Sequence, residues 1–252
     1  MGKEVIKAVL RENDMILVGA IDSKENGIDV GALVGLTTYG VAVSSDLQNV
    51  LYNTDADVLV DFTNPEAAVR NGITALNCGV IPIIGTTGID DVEIDELSKA
   101  ANKTGLGVLI APNFALGAVL MMDFARRAAR HFKHVEIIEM HHDQKIDAPS
   151  GTSLKTAQMI QEERQPVRQG HPDEYEKIKG VRGGELEGIR IHSVRLPGFV
   201  AHQEVIFGGL GQVLTIRHDS LSRESFMPGV VYAIRKAKSL QGVVVGLEKI
   251  LD

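Results

Sequence analysis

The chain has 252 residues, enough for one large domain or two modest ones and for a sizeable core without disulfides or structural metals. Its 26 Lys and Arg against 33 Asp and Glu give a net charge of −7, which argues against a general nucleic-acid binder; the lack of Trp argues against a base-stacking surface. No apolar run approaches the ~20 residues that cross a bilayer, no signal segment opens the chain, and the single Cys78 cannot form an internal disulfide, so a cytoplasmic protein with no membrane partner is expected.

In chain order, residues 3–11 read as a helix, because Val5, Ile6, Val9 and Leu10 share a face at helical spacing. Residues 16–21 read as a buried strand, 40–43 as a short strand and 57–62 as a stronger one. Residues 64–77 look helical, with Pro65 near the start and Gly79 after the end. A strand over 81–84, a helix over 90–102 and a strand over 108–111 follow. This alternation implies a parallel sheet covered on both faces.

After Asn113 the pattern changes. Leu116, Leu120, Phe124, Ala128 and Phe132 recur every four residues and predict one helix. A strand over 134–140 and a polar loop lead to a helix over 152–163. Residues 165–185 are charged and hold Pro and Gly, which predicts a loop with scope for motion. Strands are expected over 189–196, 202–207 and 212–217, with Gly208, Gly209 and Gly211 at a hairpin. Two last helices are expected over 224–239 and 243–251. The fold class is therefore α/β, a Rossmann-like parallel-sheet domain lacking a first strand, followed by an α+β domain with a mixed or antiparallel sheet.

The densest polar cluster runs from Glu139 through His141, His142, Lys145, Asp147 and Ser150 to Gly151 and Thr152. Ser150, Gly151 and Thr152 sit at a helix start, where free N–H groups and the positive helix end suit a carboxylate. Lys145 adds a charge and a transferable proton, and His141 or His142 suits proton transfer near neutral pH. Adjacent histidines in a strand face opposite ways, so regular geometry brings one of them to a given ligand. A serine at a helix start is equally a plain cap, and His-His beside Asp lacks the spacing of a metal site, so no metal is expected. A second set ends the parallel strands: Asp22 and Ser23; Asp61, Phe62 and Thr63; Gly85, Thr86, Thr87 and Gly88; Ala111, Pro112, Asn113 and Phe114. Open α/β sheets bind ligands there, and an acid after the second strand suits a ribose. Each such loop could also simply end a strand.

These residues together resemble the dihydrodipicolinate reductase (4-hydroxy-tetrahydrodipicolinate reductase) family. The His-His-x-x-Lys-x-Asp-Ala-Pro-Ser-Gly-Thr stretch carries the resemblance, with Asp61-Phe62-Thr63, Gly85-Thr86-Thr87-Gly88, Ala111-Pro112-Asn113-Phe114 and Ser222-Arg223-Glu224 in support. The resemblance implies reduction of a small cyclic dicarboxylate with NADH or NADPH in the diaminopimelate route to lysine, by a homotetramer built through the second domain's sheet. It implies an acid/base role for His141, a proton-donor role for Lys145, and substrate contacts at His142, Ser150, Gly151 and Thr152. It places the cofactor at Met1, Asp22, Ser23, Phe62, Gly85, Thr86, Thr87 and Ala111 through Phe114, with the nicotinamide in a crevice between the domains. NADH is expected to be weakly preferred, through Asp22, while Lys24 could accept the extra phosphate of NADPH.

The implied domains are 1–113 with 224–252 for the dinucleotide, and 114–223 for substrate and oligomerisation. Family members carry a strand and a Gly-rich loop before the position of Met1. Their absence is expected to bare backbone groups on two neighbouring strands, and to mean either a truncated start or a shortened homologue with impaired cofactor binding. Two rival readings stand beside the reductase. One is a dicarboxylate binder without turnover; the other is a different NAD(P)-dependent enzyme on a similar scaffold.

Overall fold

The computed structural model describes residues 1–251. They form two compact units, Met1–Phe114 with the chain from Phe226 onward, and Ala115–Ser225.

The first unit opens with α1 (Gly2–Arg11), which buries Val5, Ile6, Ala8 and Val9. Of the strand expected over 16–21, only β1 (Ala20–Ile21) makes ladder bonds. The apolar run has a packing role instead: Leu17 and Ala20 pack on Ile6, Val30 and Val43. α2 (Val30–Leu33) follows, and the carboxylate of Asp29 binds the N–H groups of Gly31, Ala32, Tyr39 and Gly40. The strand expected over 40–43 is β2 (Val43–Ser44), parallel to β1. α3 (Leu47–Tyr52) starts at the Asp46 cap. Periodicity could not anticipate α2 and α3, because each has fewer than two turns.

The regular alternation then begins with β3 (Val58–Asp61), α4 (Pro65–Asn77), β4 (Ile81–Ile84), α5 (Asp91–Thr104) and β5 (Val108–Ile110). Asn64 and Asp90 cap the two helices, the latter in a reciprocal capping box with Glu93. Val69, Leu76, Ile84, Leu97, Val108 and Ile110 form the buried core between these elements.

In the second unit, α6 (Leu116–Ala129) stops before Phe132, whose ring packs on Phe207 at 5.9 Å instead of extending the helix. Next come β6 (His134–His141), α7 (Gly151–Gln161), β7 (Gly184–Leu186), β8 (Ile189–Arg195), β9 (Ala201–Gly209) and β10 (Gln212–Ser220). They form a mixed sheet in the order β10-β9-β6-β8-β7, with β6 and β8 parallel and the other pairs antiparallel. Both helices cover one face. Ser153 of α7 bonds Gln203 on β9, and Gly117 of α6 lies against His218, the ladder partner of Gln203.

The segment expected to be a loop over 165–185 is tied down at several points and ends in β7. The Gln169 carboxamide bonds both the N–H and the carbonyl of Val135, standing in for a neighbouring strand. Arg182 pairs with Glu136, and Glu176 accepts from the N–H groups of Gly180 and Arg182.

The single helix expected over 224–239 is divided. A 3-10 turn at Arg223–Phe226 precedes α8 (Met227–Lys236), with Pro228 in its first turn, and a 3-10 turn at Ala237–Ser239 follows. The helix expected over 243–251 is instead β11 (Val243–Val245) and a 3-10 turn, Leu247–Lys249. Gly242 and Gly246, at φ of 60° and 104°, bracket three β-branched residues that pair in parallel with β5. The first unit thus has two parallel ladders, β1–β2 and β11–β5–β4–β3. It is a Rossmann-like α/β layer; the second unit is α+β with a mixed sheet.

Candidate active site

In the first unit, three loops meet at the carboxyl ends of β3, β4 and β5. The buried carboxylate of Asp61 accepts from the N–H and hydroxyl of Thr63 and from Asn71, which fixes the turn after β3. The amide of Gly85 donates to the Asp61 carbonyl at 2.7 Å, and that of Ala111 to the Ile84 carbonyl at 2.8 Å. The Phe62 and Phe114 rings pack at 5.6 Å between centroids, tilted by 57°, and a Cβ on Gly85 would lie 2.2 Å from Phe62. Gly85 is therefore needed by the aromatic pair itself. Gly85→Ala is expected to cost about 1–3 kcal/mol in urea unfolding through this overlap; an unchanged midpoint would show that the ring moves freely.

Thr86 is buried, and its hydroxyl has no hydrogen-bond partner. An orphaned donor at the strand ends fits a polar ligand there, as a dinucleotide is. Thr87 and Pro112 are exposed and Asn113 half-buried on the same rim. Asp22 follows β1, where its Oδ1 accepts from the N–H groups of Lys24 at 2.7 Å and Glu25 at 3.3 Å; Ser23 lies exposed in the same turn. Met1 caps α1 through its carbonyl, which accepts from Glu4 and Val5.

In the second unit, β6 ends at His141. Strand alternation puts Glu139 and His141 on one face, the face covered by α7. His141 Nδ1 lies 2.5 Å from Glu139 Oε2, while His142 is exposed beyond the strand. Arg195 on β8 grips the Glu139 carboxylate with both terminal nitrogens, at 2.7 and 2.9 Å, and also donates to the Asp147 carbonyl. Burial alone would push the Glu139 carboxyl up. Hydrogen bonds from His141, Arg195 and Ser193 outweigh that and bring it down to about 2. Lys145 Nζ sits 2.6 Å from Asp147 Oδ1, and this hydrogen bond holds the Asp147 carboxyl below the usual range.

Ser150 caps α7, and its buried hydroxyl is committed to Ser153. From there a buried chain runs through Gln203 to Thr156 and on to the carbonyl of Thr152. The first turn of α7 is thereby locked onto β9. Gly151 is exposed, with open space where a side chain would be. The first turn of α7 offers backbone amides that suit an anion, the loop before it carries the Lys145 ammonium, and the end of β6 carries the His141 imidazole. Glu139 and Arg195 carried no role in the sequence reading. The Glu-x-His alternation at the end of a strand could have pointed to Glu139; nothing local points to Arg195. Among the described residues, no group of three or more His, Cys, Asp or Glu could hold a metal ion, and no helix is long and apolar enough to cross a membrane.

A Rossmann-like unit with polar strand ends, joined in one chain to an α+β unit in which the first turn of α7 follows a His- and Lys-bearing segment, fits an NAD(P)-dependent oxidoreductase. Family models described as the dihydrodipicolinate reductase N-terminus and C-terminus match residues 1–114 and 117–251. A 4-hydroxy-tetrahydrodipicolinate reductase of Desulfitobacterium hafniense is 56% identical, covering 100% of this chain and 95% of the relative. One of Halalkalibacterium halodurans is 52% identical, covering 100% and 96%. A solved structure described as dipicolinate-bound dihydrodipicolinate reductase from Paenisporosarcina sp. TG-14 is 46% identical, with a TM-score of 0.90 over 99% of this chain and 95% of that one. The chain belongs to the dihydrodipicolinate reductase family.

Proposed function

We propose that this chain reduces 4-hydroxy-tetrahydrodipicolinate to tetrahydrodipicolinate with NADH or NADPH, as a step toward diaminopimelate and lysine. The observation that carries the reading is that the end of β6 with His141, the loop with Lys145 and the capped, locked first turn of α7 follow one another in one short segment of the second unit. A ring with two carboxylates can set one against the Lys145 ammonium and the other against the Gly151 and Thr152 amides. The ionic bond from Lys145 to Asp147 is the one that the first carboxylate would replace.

The cofactor would be held by Met1, Asp22, Ser23, Phe62, Gly85, Thr86, Thr87 and residues Ala111 through Phe114, and when bound it supplies the hydride. The protein supplies the proton: the 4-hydroxyl leaves as water, so each turnover consumes one hydride and one proton. Lys145 is the proton donor, His141 the acid/base group, and His142 and Ser150 complete the substrate side. Ser150 does so through its cap, because its hydroxyl is already engaged.

Loss of NADH absorbance with 4-hydroxy-tetrahydrodipicolinate tests the reading. Turnover is expected with both cofactors; dipicolinate binding without turnover would favour the non-catalytic binder. Asp22 supports a modest preference for NADH through the free ribose hydroxyl. Asp22→Ala is expected to raise KM for NADH about tenfold with little change in kcat, the signature of lost ground-state binding. A strong NADPH preference in the unmodified enzyme would count against Asp22.

A homotetramer is the assembly that the second unit's sheet favours. Its face opposite α6 and α7 presents Ile138, Met140, Val194 and Ile206 among paired charges such as Glu204 and Arg217. Light scattering should give four times the 27.2 kDa of one chain; a monomer mass would overturn the assembly. A cytoplasmic site fits the free thiol of Cys78.

A further inference from the structure

We propose that Glu139 and Arg195 are positioning residues that hold His141 in one tautomer and orientation and tie it to the loop carrying Lys145. The proposal rests on the reading that His141 and Lys145 handle the proton. It concerns two side chains that would touch neither substrate nor cofactor.

The side chain of Glu139 is fully buried, and a carboxylate so placed persists only when its oxygens are paired. Oε1 takes Arg195 Nη2, and Oε2 takes Arg195 Nη1 and His141 Nδ1. An ionised carboxylate only accepts hydrogen bonds, so the His141 nitrogen facing it must carry the hydrogen. That leaves Nε2 as the atom that exchanges the working proton. Arg195 Nη2 also donates to the carbonyl of Asp147 at 2.8 Å, and Asp147 holds Lys145 through its carboxylate. A continuous path thus joins the two proton-handling groups through one guanidinium. Arg195 Nε is buried with no partner. The remaining four bonds of the fork, two to the Glu139 carboxylate and one each to the Val194 and Asp147 carbonyls, set its direction.

Steady-state kinetics with NADH and 4-hydroxy-tetrahydrodipicolinate on the intact enzyme test this, with dipicolinate as the inhibitor. Glu139→Gln should lower kcat about 10- to 100-fold while the dipicolinate inhibition constant stays within about twofold. Nitrogen NMR should also show His141 gaining the Nε2-protonated tautomer, because a carboxamide can offer Nδ1 a donor as well as an acceptor. Glu139→Asp should recover part of both effects, and Arg195→Lys should resemble Glu139→Gln more weakly. A merely structural carboxylate would leave the tautomer in place.

His141→Ala is measured alongside. If it keeps its kcat, the active-site reading fails. If it loses kcat while Glu139→Gln keeps both the rate and the His141 tautomer of the unmodified enzyme, the positioning proposal fails. Should Glu139→Gln not fold, nitrogen NMR of the histidine-labelled unmodified enzyme decides, with the His141 signal assigned by its loss in His141→Ala. A neutral His141 ring protonated at Nδ1 supports the proposal, and one protonated at Nε2 overturns it.

Discussion

Lys145→Ala is expected to lower kcat by about 10²- to 10³-fold, within the range general acids contribute. The side chain is only 21% exposed and holds its ammonium against Asp147. Alanine removes both a charge for the substrate carboxylate and a proton source, so KM should rise as well. Lys145→Arg separates the two roles. A guanidinium can hold a carboxylate but does not release its proton near neutral pH, so dipicolinate affinity should partly return while kcat stays low. Near-normal kcat in Lys145→Ala would remove the residue from the reaction.

Glu139→Gln is expected to cost on the order of 3 kcal/mol of folding stability at pH 7, and less as the solution is acidified. The Glu139 carboxyl titrates at about 2 in the folded chain against 4.5 when unperturbed, and each unit is worth about 1.4 kcal/mol. A carboxyl lowered on folding stabilises the folded state above its unfolded value. That contribution is fully present above about pH 5 and disappears as the pH falls through the folded value near 2. Urea unfolding of both proteins at pH 7 and at pH 3.5 to 4 measures it. The gap between them should narrow with acid; a gap constant with pH would mean that packing, not charge, sets the cost.

The parts legible in the sequence are those whose signal is local. Ile81 to Ile84 form an apolar run closed by Gly85, and Asn64-Pro65 opens a helix with both a cap and a fixed φ; strand and helix fall there. The motif from His141 to Thr152 is contiguous, so its residues fall on one strand end, one loop and one helix start. Where the signal was ambiguous the reading failed. Three valines between helical stretches suit either period, and their assignment as β11 depends on β5, far away in the chain. Likewise the run over 16–19 is apolar, yet Ile16 is exposed and Leu17 only partly buried against Ile6, Val30 and Val43, so an apolar run alone made neither a buried segment nor a ladder.

The Glu139–Arg195 pair was out of reach for a different reason. Its members are 56 residues apart and meet only because β6 and β8 run parallel and in register. The same holds for Gln203, which fixes α7 from 50 residues away. A sequence displays the groups that meet a ligand more readily than those that hold them still, because the former cluster in loops and the latter arrive through sheet pairing.

A crystal of the enzyme with dipicolinate tests the central claim most directly. One carboxylate should lie against Lys145 Nζ in place of Asp147, and the other against the Gly151 and Thr152 amides. Density away from the first turn of α7, with the Lys145–Asp147 bond intact, would contradict the account.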